Sequence, residues 1–321
     1  MGEMDPPARD PSPPGDAAVI AAAAAAPGAA EETPLQRIVA DFAASRIALA
    51  GLALIAVILA AALFAPLLSP QNPYDLAQLD VMDSRLAPGA QSADGKFTYW
   101  LGTDDQGRDM LSAIFYGLRI SIGVGVASTL CALAIGTMLG LLAAFFGGRV
   151  DSLIMRIADI QLSFPAILIA LILLAVLGQG VDKIIVALVA VQWAYYARTV
   201  RSSALVERRK EYIDAAACLA LPTRRIVFRH LLPNCLPPLI VVATVQVAAA
   251  ITLEATLSFL GLGLPITEPS LGLLISNGFT YLLSGKYWIS FFPGIALLVT
   301  IVSINLVGDQ LRDVLNPRLQ R

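Results

Sequence analysis

Long runs of apolar residues with few charges are the feature that most restricts how this chain can fold. The first, IALAGLALIAVILAAALFAPLL, extends over residues 47–68 and is long enough to cross a hydrocarbon core of about 30 Å. Further apolar stretches lie at roughly 118–146, 155–178, 183–197, 235–260 and 288–308. Stretches of this length predict an all-α, polytopic membrane bundle of about six transmembrane helices.

Composition agrees with a membrane protein and excludes several kinds of site. Hydrophobic residues make up 57% of the 321 residues and charged residues 14%, and the mean hydropathy is +0.73, whereas soluble domains carry about 25% charged residues. The three cysteines, Cys131, Cys218 and Cys235, have no CxxC spacing, so neither a disulfide framework nor a zinc site is expected. His230 is the one histidine, which excludes a metal site built from several histidines.

Polar segments divide the chain into five parts. They are a low-complexity, disordered cytoplasmic segment (1–45), a first transmembrane helix (46–68), an extracytoplasmic segment (69–116), a core transmembrane domain (117–309) and a cytoplasmic tail (310–321). The first part is rich in Pro, Ala, Asp and Glu, a composition typical of disorder. It opens with acidic rather than basic residues, so it does not resemble a signal peptide.

The distribution of basic residues predicts the orientation. Arginine and lysine concentrate between the fourth and fifth apolar stretches, at Arg198, Arg201, Arg208, Arg209, Lys210, Arg224, Arg225 and Arg229. The tail adds Arg312, Arg318 and Arg321, whereas the loop 261–287 contains only Lys286. By the positive-inside rule we expect both termini in the cytoplasm and a multi-pass protein of the bacterial inner membrane.

Motifs for catalysis are missing from the sequence. A phosphate-binding loop needs GxxxxGK followed by Ser or Thr. Of the four lysines, only Lys96 and Lys286 follow a glycine, and they precede Phe and Tyr. We therefore expect no enzyme activity, no ATP hydrolysis and no cofactor or metal in this chain.

Three polar residues inside apolar stretches are candidates for a transport pathway. Glu254 is an ionisable residue within a predicted span, and such residues are functional candidates by default. The alternative is that Glu254 lies at the membrane interface and pairs locally. Gln192 and Gln246 could line a pathway or bond to a neighbouring helix.

The stretch EYIDAAACLALPTRRIVFRHLLPN at 211–234 interrupts the apolar pattern. Its alanines favour a short helix at about 207–222, which Pro222 should end. One side of this helix is expected to gather Tyr212, Ile213, Ala216, Leu219 and Ala220. Such a helix could lie on lipid headgroups or dock into a groove on a cytoplasmic partner.

The same stretch resembles the EAA loop of binding-protein-dependent ABC importer permeases. Other segments resemble the peptide/nickel subgroup, and more narrowly its second, "C"-type permease. They are LGTDDQGRDMLSAIFYGLRISIGVG (101–125), FFGGRVDSLIMRIADIQLSFP (145–165), LEATLSFLGLGLP (253–265) and GDQLRDVLNPRL (308–319). The resemblance covers about residues 46–321 and implies the type I importer permease fold.

The resemblance also implies a role for the interrupting stretch. In the family this segment is the coupling helix that contacts the ATPase subunit. The residues carried over are Glu211, Tyr212, Asp214, Ala215, Ala216, Leu219, Ala220, Pro222 and Arg225. Asp214 stands where the family usually has Glu, and Ala220 where it usually has Gly. Because alanine lacks glycine's ready access to positive φ, we expect ordinary dihedral angles before Pro222.

The resemblance implies a set of partners. They are a homologous second permease in a heterodimer, two ATPase subunits that bind ATP and Mg²⁺, an extracytoplasmic solute-binding protein and membrane lipid, with no nucleic acid. The expected cargo is a di- or oligopeptide, with nickel or glutathione-like solutes as alternatives. A stand-alone secondary transporter or channel is the rival class, which would favour inverted repeats and midplane charges.

Overall fold

The computed structural model describes residues 34–75, 79–95 and 98–315. Helix α1 (Pro34–Ala44) corrects the prediction of disorder over 1–45 for its own residues. Its sequence places Leu35, Ile38, Val39 and Phe42 at helical spacing, and this amphipathic pattern favours a helix. Residues 1–33 of the predicted disordered segment lie outside the described residues.

The first apolar stretch forms α2 (Arg46–Leu63) and the one-turn helix α3 (Ala65–Leu68). Ser45 begins α2, since its side chain accepts a hydrogen bond from the Ala48 amide, as N-cap serines do. Pro66 lies in the first turn of α3, where its missing N–H is tolerated. The break at Phe64 therefore falls inside the predicted span 46–68.

Nine further helices follow. They are α4 (Met110–Phe146), α5 (Gly148–Leu162), α6 (Ala166–Leu177), α7 (Val181–Glu207), α8 (Glu211–Cys218), α9 (Thr223–Arg225), α10 (Leu232–Phe259), α11 (Leu271–Phe279) and α12 (Trp288–Val314). A π-helical turn (Ile226–Leu231) joins α9 to α10, and short 3₁₀ turns lie at Val81–Asp83 and Leu282–Ser284. Strands β1 (Ala90–Gln91) and β2 (Thr98–Tyr99) pair antiparallel, with Ala90 opposite Tyr99.

Four helical segments of the described chain are long and apolar enough to cross a membrane: α2, α4, α9 to α10, and α12. A fifth is obtained if α5 and α6 together form one span. The 27-residue α7 carries more charge but runs beside α4 for much of its length. The described residues thus contain four or five apolar spans beside α7, and the predicted all-α membrane bundle is confirmed.

Several predicted boundaries differ from the structure. The stretch 155–178, expected as one span, is two helices bent by 93° at Ser163–Pro165, because the residue before a proline is disfavoured in the α conformation. The polar segment that is predicted to be extracytoplasmic and to end at 116 ends at Asp109, which caps α4 by accepting from the Ser112 amide. The tail, expected from 310, is helical to Val314.

Glycines bring α4 and α7 into close contact. A Cβ added at Gly136 would lie 2.5 Å from the Trp193 carbonyl oxygen and from the Tyr196 Cβ. At Gly140 it would lie 2.5 Å from the Ala197 carbonyl oxygen. The pair forms a GxxxG pattern, which lets two helix backbones approach in a membrane, where small residues are the main source of close packing.

The loops at the α4 amino terminus form a compact cap, here called the loop cap and made of residues 79–95, 98–109 and 260–270. Arg108 is 1% exposed, and its Nε lies 2.6 Å from the Asp104 carboxylate. Its Nη1 also donates to the Ile266 carbonyl, at 3.2 Å. Trp288 Nε1 donates to the Thr103 carbonyl, at 3.2 Å, so α12 is tied to the same cap.

We expect Gly136→Ala to destabilise the bundle by about 1–3 kcal/mol, because the added methyl group overpacks the α4–α7 contact. Thermal unfolding in detergent micelles measures this. The control is Gly123→Ala, on the same helix, where nothing lies within 4 Å of the added Cβ. Equal melting temperatures for the two variants would show that the crossing is not tightly packed.

Candidate functional site

Helix α8 presents one face to the bundle and the other to its surroundings. Ile213 and Ala216 are buried, at 6% and 5% exposure, and the helix packs on the π-helical turn. The outer face of α8 is defined here as Glu211, Asp214, Ala215 and Cys218, together with Leu219 directly after the helix, and all five are exposed. Tyr212 is also exposed, at 38%, but its hydroxyl bonds to the neighbouring helices. The prediction that Tyr212, Ile213, Ala216, Leu219 and Ala220 gather on one side is wrong, since Ile213 and Ala216 are buried whereas the other three are exposed.

The end of α8 differs from the prediction. The predicted helix, 207–222, is shorter in the structure, because Glu207 is the last residue of α7 and α8 stops at Cys218. Ala220 adopts φ +51°, in the left-handed region, so the expectation of ordinary dihedral angles is wrong. The Leu221 amide donates to the Ala216 carbonyl, at 3.3 Å. This six-to-one bond is that of a Schellman cap.

Pro222 begins the next helical segment rather than ending α8. With φ −62° and ψ 138° it is the N-cap of α9, and the Arg225 amide donates to its carbonyl, at 2.8 Å. The left-handed conformation of Ala220 ends α8 and lets the Leu221 amide bond to a carbonyl of the last turn, which would otherwise lack a partner. Ala220 thus reaches the conformation that glycine adopts more readily, at a cost of about 1–2 kcal/mol.

Side chains from both neighbouring helices hold α8. The Tyr212 hydroxyl donates to Glu207 Oε1, at 2.5 Å, and accepts from Asn234 Nδ2, at 3.0 Å. Lys210 Nζ lies 2.8 Å from Glu207 Oε2, as the i,i+3 spacing predicts. Burial and the hydrogen bond to Glu207 raise the pKa of Tyr212 to about 12, so its hydroxyl stays protonated and able to donate.

The prolines after α8 do not break the following span. Pro233 lies in the first turn of α10, and Pro237 and Pro238 lie inside an uninterrupted helix. A proline ring clashes with the carbonyl four residues earlier, and for Pro233 that residue, Arg229, lies in the π-helical turn Ile226–Leu231. Such turns are frequent at functional sites.

Glu254 lies in the interior of the bundle, with 0% exposure. Ser121 Oγ on α4 donates to Glu254 Oε2, and Ser258 Oγ donates to Oε1, both at 2.8 Å. A third hydroxyl, that of Ser270 before α11, also bonds to the carboxylate. The residue therefore joins α4, α10 and α11 in the interior of the single chain, and its role in a transport pathway stays a prediction.

The other two pathway candidates lie together. Gln192 on α7 is 3% exposed, and its Nε2 donates to the Gln246 carbonyl on α10, at 3.0 Å. Gln246 precedes Glu254 by eight residues, about 12 Å along a helix. The structure thus brings the two glutamines together but not all three residues.

Gln161 is a polar residue that the sequence analysis did not identify. It lies at the end of α5, where Trp193 Nε1 donates to its Oε1, at 2.7 Å. Its Nε2 donates to the carbonyls of Ala190 and Val191, at 2.6 and 2.9 Å. The bend after α5 is therefore fixed against α7. In the sequence, the SFP motif at 163–165 was the available signal for this bend.

A groove of about 910 Å³ runs between α4 and α10. Its walls are mainly apolar and include Leu130 and Met138 on α4 and Leu236 and Ile240 on α10. None of the three pathway candidates lines this groove.

Comparison with known proteins places the chain in a family. A family model described as "Binding-protein-dependent transport system inner membrane component" matches residues 136–321, more than half of the sequence. The chain belongs to this family. A second model, "N-terminal TM domain of oligopeptide transport permease C", matches residues 33–88, so an amino-terminal segment of this permease also has counterparts among known transport components. The resemblance to the peptide subgroup is confirmed.

Curated relatives cover most of the permease. It is 36% identical to the "Di/tripeptide transport system permease protein DppC" of Pseudomonas aeruginosa, over 90% of this chain and 93% of that protein. It is 37% identical to the "Oligopeptide transport system permease protein OppC" of Bacillus subtilis, over 87% and 88%. The permease is thus a multi-pass inner-membrane subunit of an ABC importer rather than a catalytic enzyme.

A solved structure supports the fold. A chain of the "MetNI methionine ABC transporter", in an inward facing conformation, superposes with a TM-score of 0.52. The match covers 64% of this permease and 98% of that chain, at 21% sequence identity. At this identity the match shows the fold alone, and the predicted type I importer fold is confirmed.

We expect Ala220→Gly to stabilise the end of α8 by about 1 kcal/mol, because glycine adopts positive φ without the Cβ penalty. Hydrogen exchange of the Leu221 amide, which closes the cap, should slow by about fivefold. The matched control is Ala215→Gly, in the middle of α8, which should speed the same exchange. Faster exchange in Ala220→Gly would contradict the cap.

We expect Glu254→Gln to lower stability by about 1–3 kcal/mol, because the amide nitrogen cannot accept a serine hydroxyl bond and leaves a buried donor unpaired. The melting temperature in detergent measures this loss. Glu268→Gln, a partly exposed carboxylate at the same end of the bundle, serves as the control. A wild-type melting temperature together with altered transport would instead assign Glu254 to the pathway.

Proposed function

We propose that this permease forms half of the translocation pathway of a peptide importer, driven by ATPase subunits that dock on the outer face of α8. The observation that carries this proposal is a short helix outside the apolar spans, with Asp214 and Leu219 exposed. Small side chains such as Ala215 let a partner surface approach such a helix closely.

The second half of the pathway would come from a homologous permease in a heterodimer. Gln192 and Gln246 are proposed to lie near the pathway, since they join α7 and α10 by a polar contact. Glu254 is proposed to hold α10 in position beside the pathway, because hydroxyl groups of three serines bond to its carboxylate. ATP and Mg²⁺ would bind to the two ATPase subunits, and this chain would hold no cofactor.

Basic residues support an orientation with α8 in the cytoplasm. The segment from Arg198 to Arg229 contains most of the arginines of the core domain, and such segments stay on the cytoplasmic side. Both termini would then be cytoplasmic, and the loop cap would face an extracytoplasmic solute-binding protein. Closure of the ATPases would displace α8 and tilt the spans, giving alternating access.

Names of the relatives support a peptide as the cargo. Both the Pseudomonas and the Bacillus proteins are named as transporters of di-, tri- or oligopeptides. Uptake of a radiolabelled dipeptide into proteoliposomes should require ATP, the ATPase and a cognate binding protein, and vanadate should block it. Dipeptide uptake by this chain alone, driven by an ion gradient, would contradict the proposal.

We expect Asp214→Lys to weaken ATPase binding by about tenfold or more, because a reversed charge at the centre of a docking face disturbs complementarity. Co-purification of the ATPase with tagged permease measures this. Asp182→Lys reverses an exposed charge at the start of α7, at the far end of that helix from α8, and should leave co-purification unchanged. Equal ATPase recovery in both variants would place docking elsewhere.

A further inference from the structure

Three side chains are linked by hydrogen bonds at the amino-terminal end of α8 and are here called the tyrosine node: Glu207, Tyr212 and Asn234. Glu207 is the last residue of α7, Tyr212 lies in the first turn of α8, and Asn234 lies in the first turn of α10. The two bonds are 2.5 and 3.0 Å long. One tyrosine hydroxyl thus connects α8 to the two spans on either side of it in sequence.

Each outer member of the node is held by its own helix or loop. Asn234 Nδ2 also donates to the His230 carbonyl, at 2.7 Å, so its amide is oriented by the π-helical turn. Glu207 is only 8% exposed and receives Lys210 on its second oxygen, at 2.8 Å. A buried carboxylate that is fully hydrogen-bonded keeps a fixed geometry, because losing one partner is costly.

Arg208 extends the connection to a third span. Its Nη1 donates to the carbonyls of Ala144 and Phe145, at 3.0 and 2.9 Å, and its guanidinium lies 5.4 Å from the Phe145 ring centroid. These carbonyls belong to the last turn of α4, where a cation is favourable. The residue after Glu207 therefore ties α7, and with it the node, to α4.

The backbone path between α8 and α10 is irregular. Between Tyr212 and Asn234 it passes the left-handed Ala220, the one-turn α9 and the π-helical turn. A displacement of α8 could be absorbed along this path, since Tyr212 and Asn234 are separated by 22 positions in the sequence. The two hydrogen bonds of the tyrosine node connect α8 to α7 and α10 directly, so this connection does not depend on the irregular segment.

We propose that Tyr212 is a positioning residue that makes α8 move together with α7 and α10 when the ATPases close. This inference rests on the proposed function, in which the ATPases dock on α8. The hydroxyl faces the spans rather than the partner, so its removal separates transmission from docking. The helix face that would meet the ATPase, containing Asp214 and Leu219, is left intact.

Tyr212→Phe in the full transporter complex tests this role. The complex is trapped with ATP and vanadate in nanodiscs, and hydrogen exchange of segment 261–287 is compared with the nucleotide-free state. We expect the trapping-induced change, per trapped complex, to fall about fivefold or more in Tyr212→Phe, as loss of a hydrogen bond to a charged group implies. Tyr195→Phe, which removes a hydroxyl from an exposed tyrosine on α7, should match wild type.

Asn234→Ala and the double variant provide the second measurement. If the node acts as one unit, the double variant should show no greater loss than Tyr212→Phe alone. A wild-type exchange change in Tyr212→Phe, additive losses, or loss of ATPase assembly in Tyr212→Phe would each overturn the proposal. If no ATPase co-purifies with the wild-type permease, the proposed function is refuted instead. This result is obtained before any variant is made.

Discussion

The close approach of α4 and α7 at Gly136 and Gly140 sets the geometry on which the rest of the structure depends. Lipid offers no hydrophobic drive for helix association, so the contact relies on packing of small residues against backbone. Once α7 is fixed against α4, it positions two further elements. Its middle part holds Gln161, and with it the α5–α6 bend, and its carboxyl end places Glu207 beside α8.

Polar groups of the interior add to this packing. They join helices and loops that apolar contacts alone would leave free to shift relative to one another. Glu254 links α4, α10 and α11, and Arg108 links the two halves of the loop cap. The tyrosine node does the same at the opposite end of the spans. A membrane bundle with its polar bonds at both ends can tilt as a unit, and alternating access requires such motion.

Hydropathy predicted the helical bundle and most span positions, because long apolar runs have few alternatives in a membrane. The EAA-like stretch predicted α8 and its exposure, although not which residues face outward. What could not be predicted depends on contacts between distant residues. Asn234 is paired with Tyr212 only through the three-dimensional fold, and Gln161 is indistinguishable in sequence from any helix-end glutamine. The left-handed conformation of Ala220 was not predicted. The hydrogen bond of the Schellman cap offsets the free energy that an alanine loses at positive φ.

Alkylation of native Cys218 tests most directly whether the outer face of α8 is the docking surface. Cys218 is exposed on that face, whereas Cys235 is buried and serves as the internal control. A water-soluble maleimide should label Cys218 readily in the isolated permease. In the complex with its ATPase subunits, we expect Cys218 to become unreactive while the permease stays intact. Equal labelling of Cys218 in a complex that contains the ATPase would contradict it.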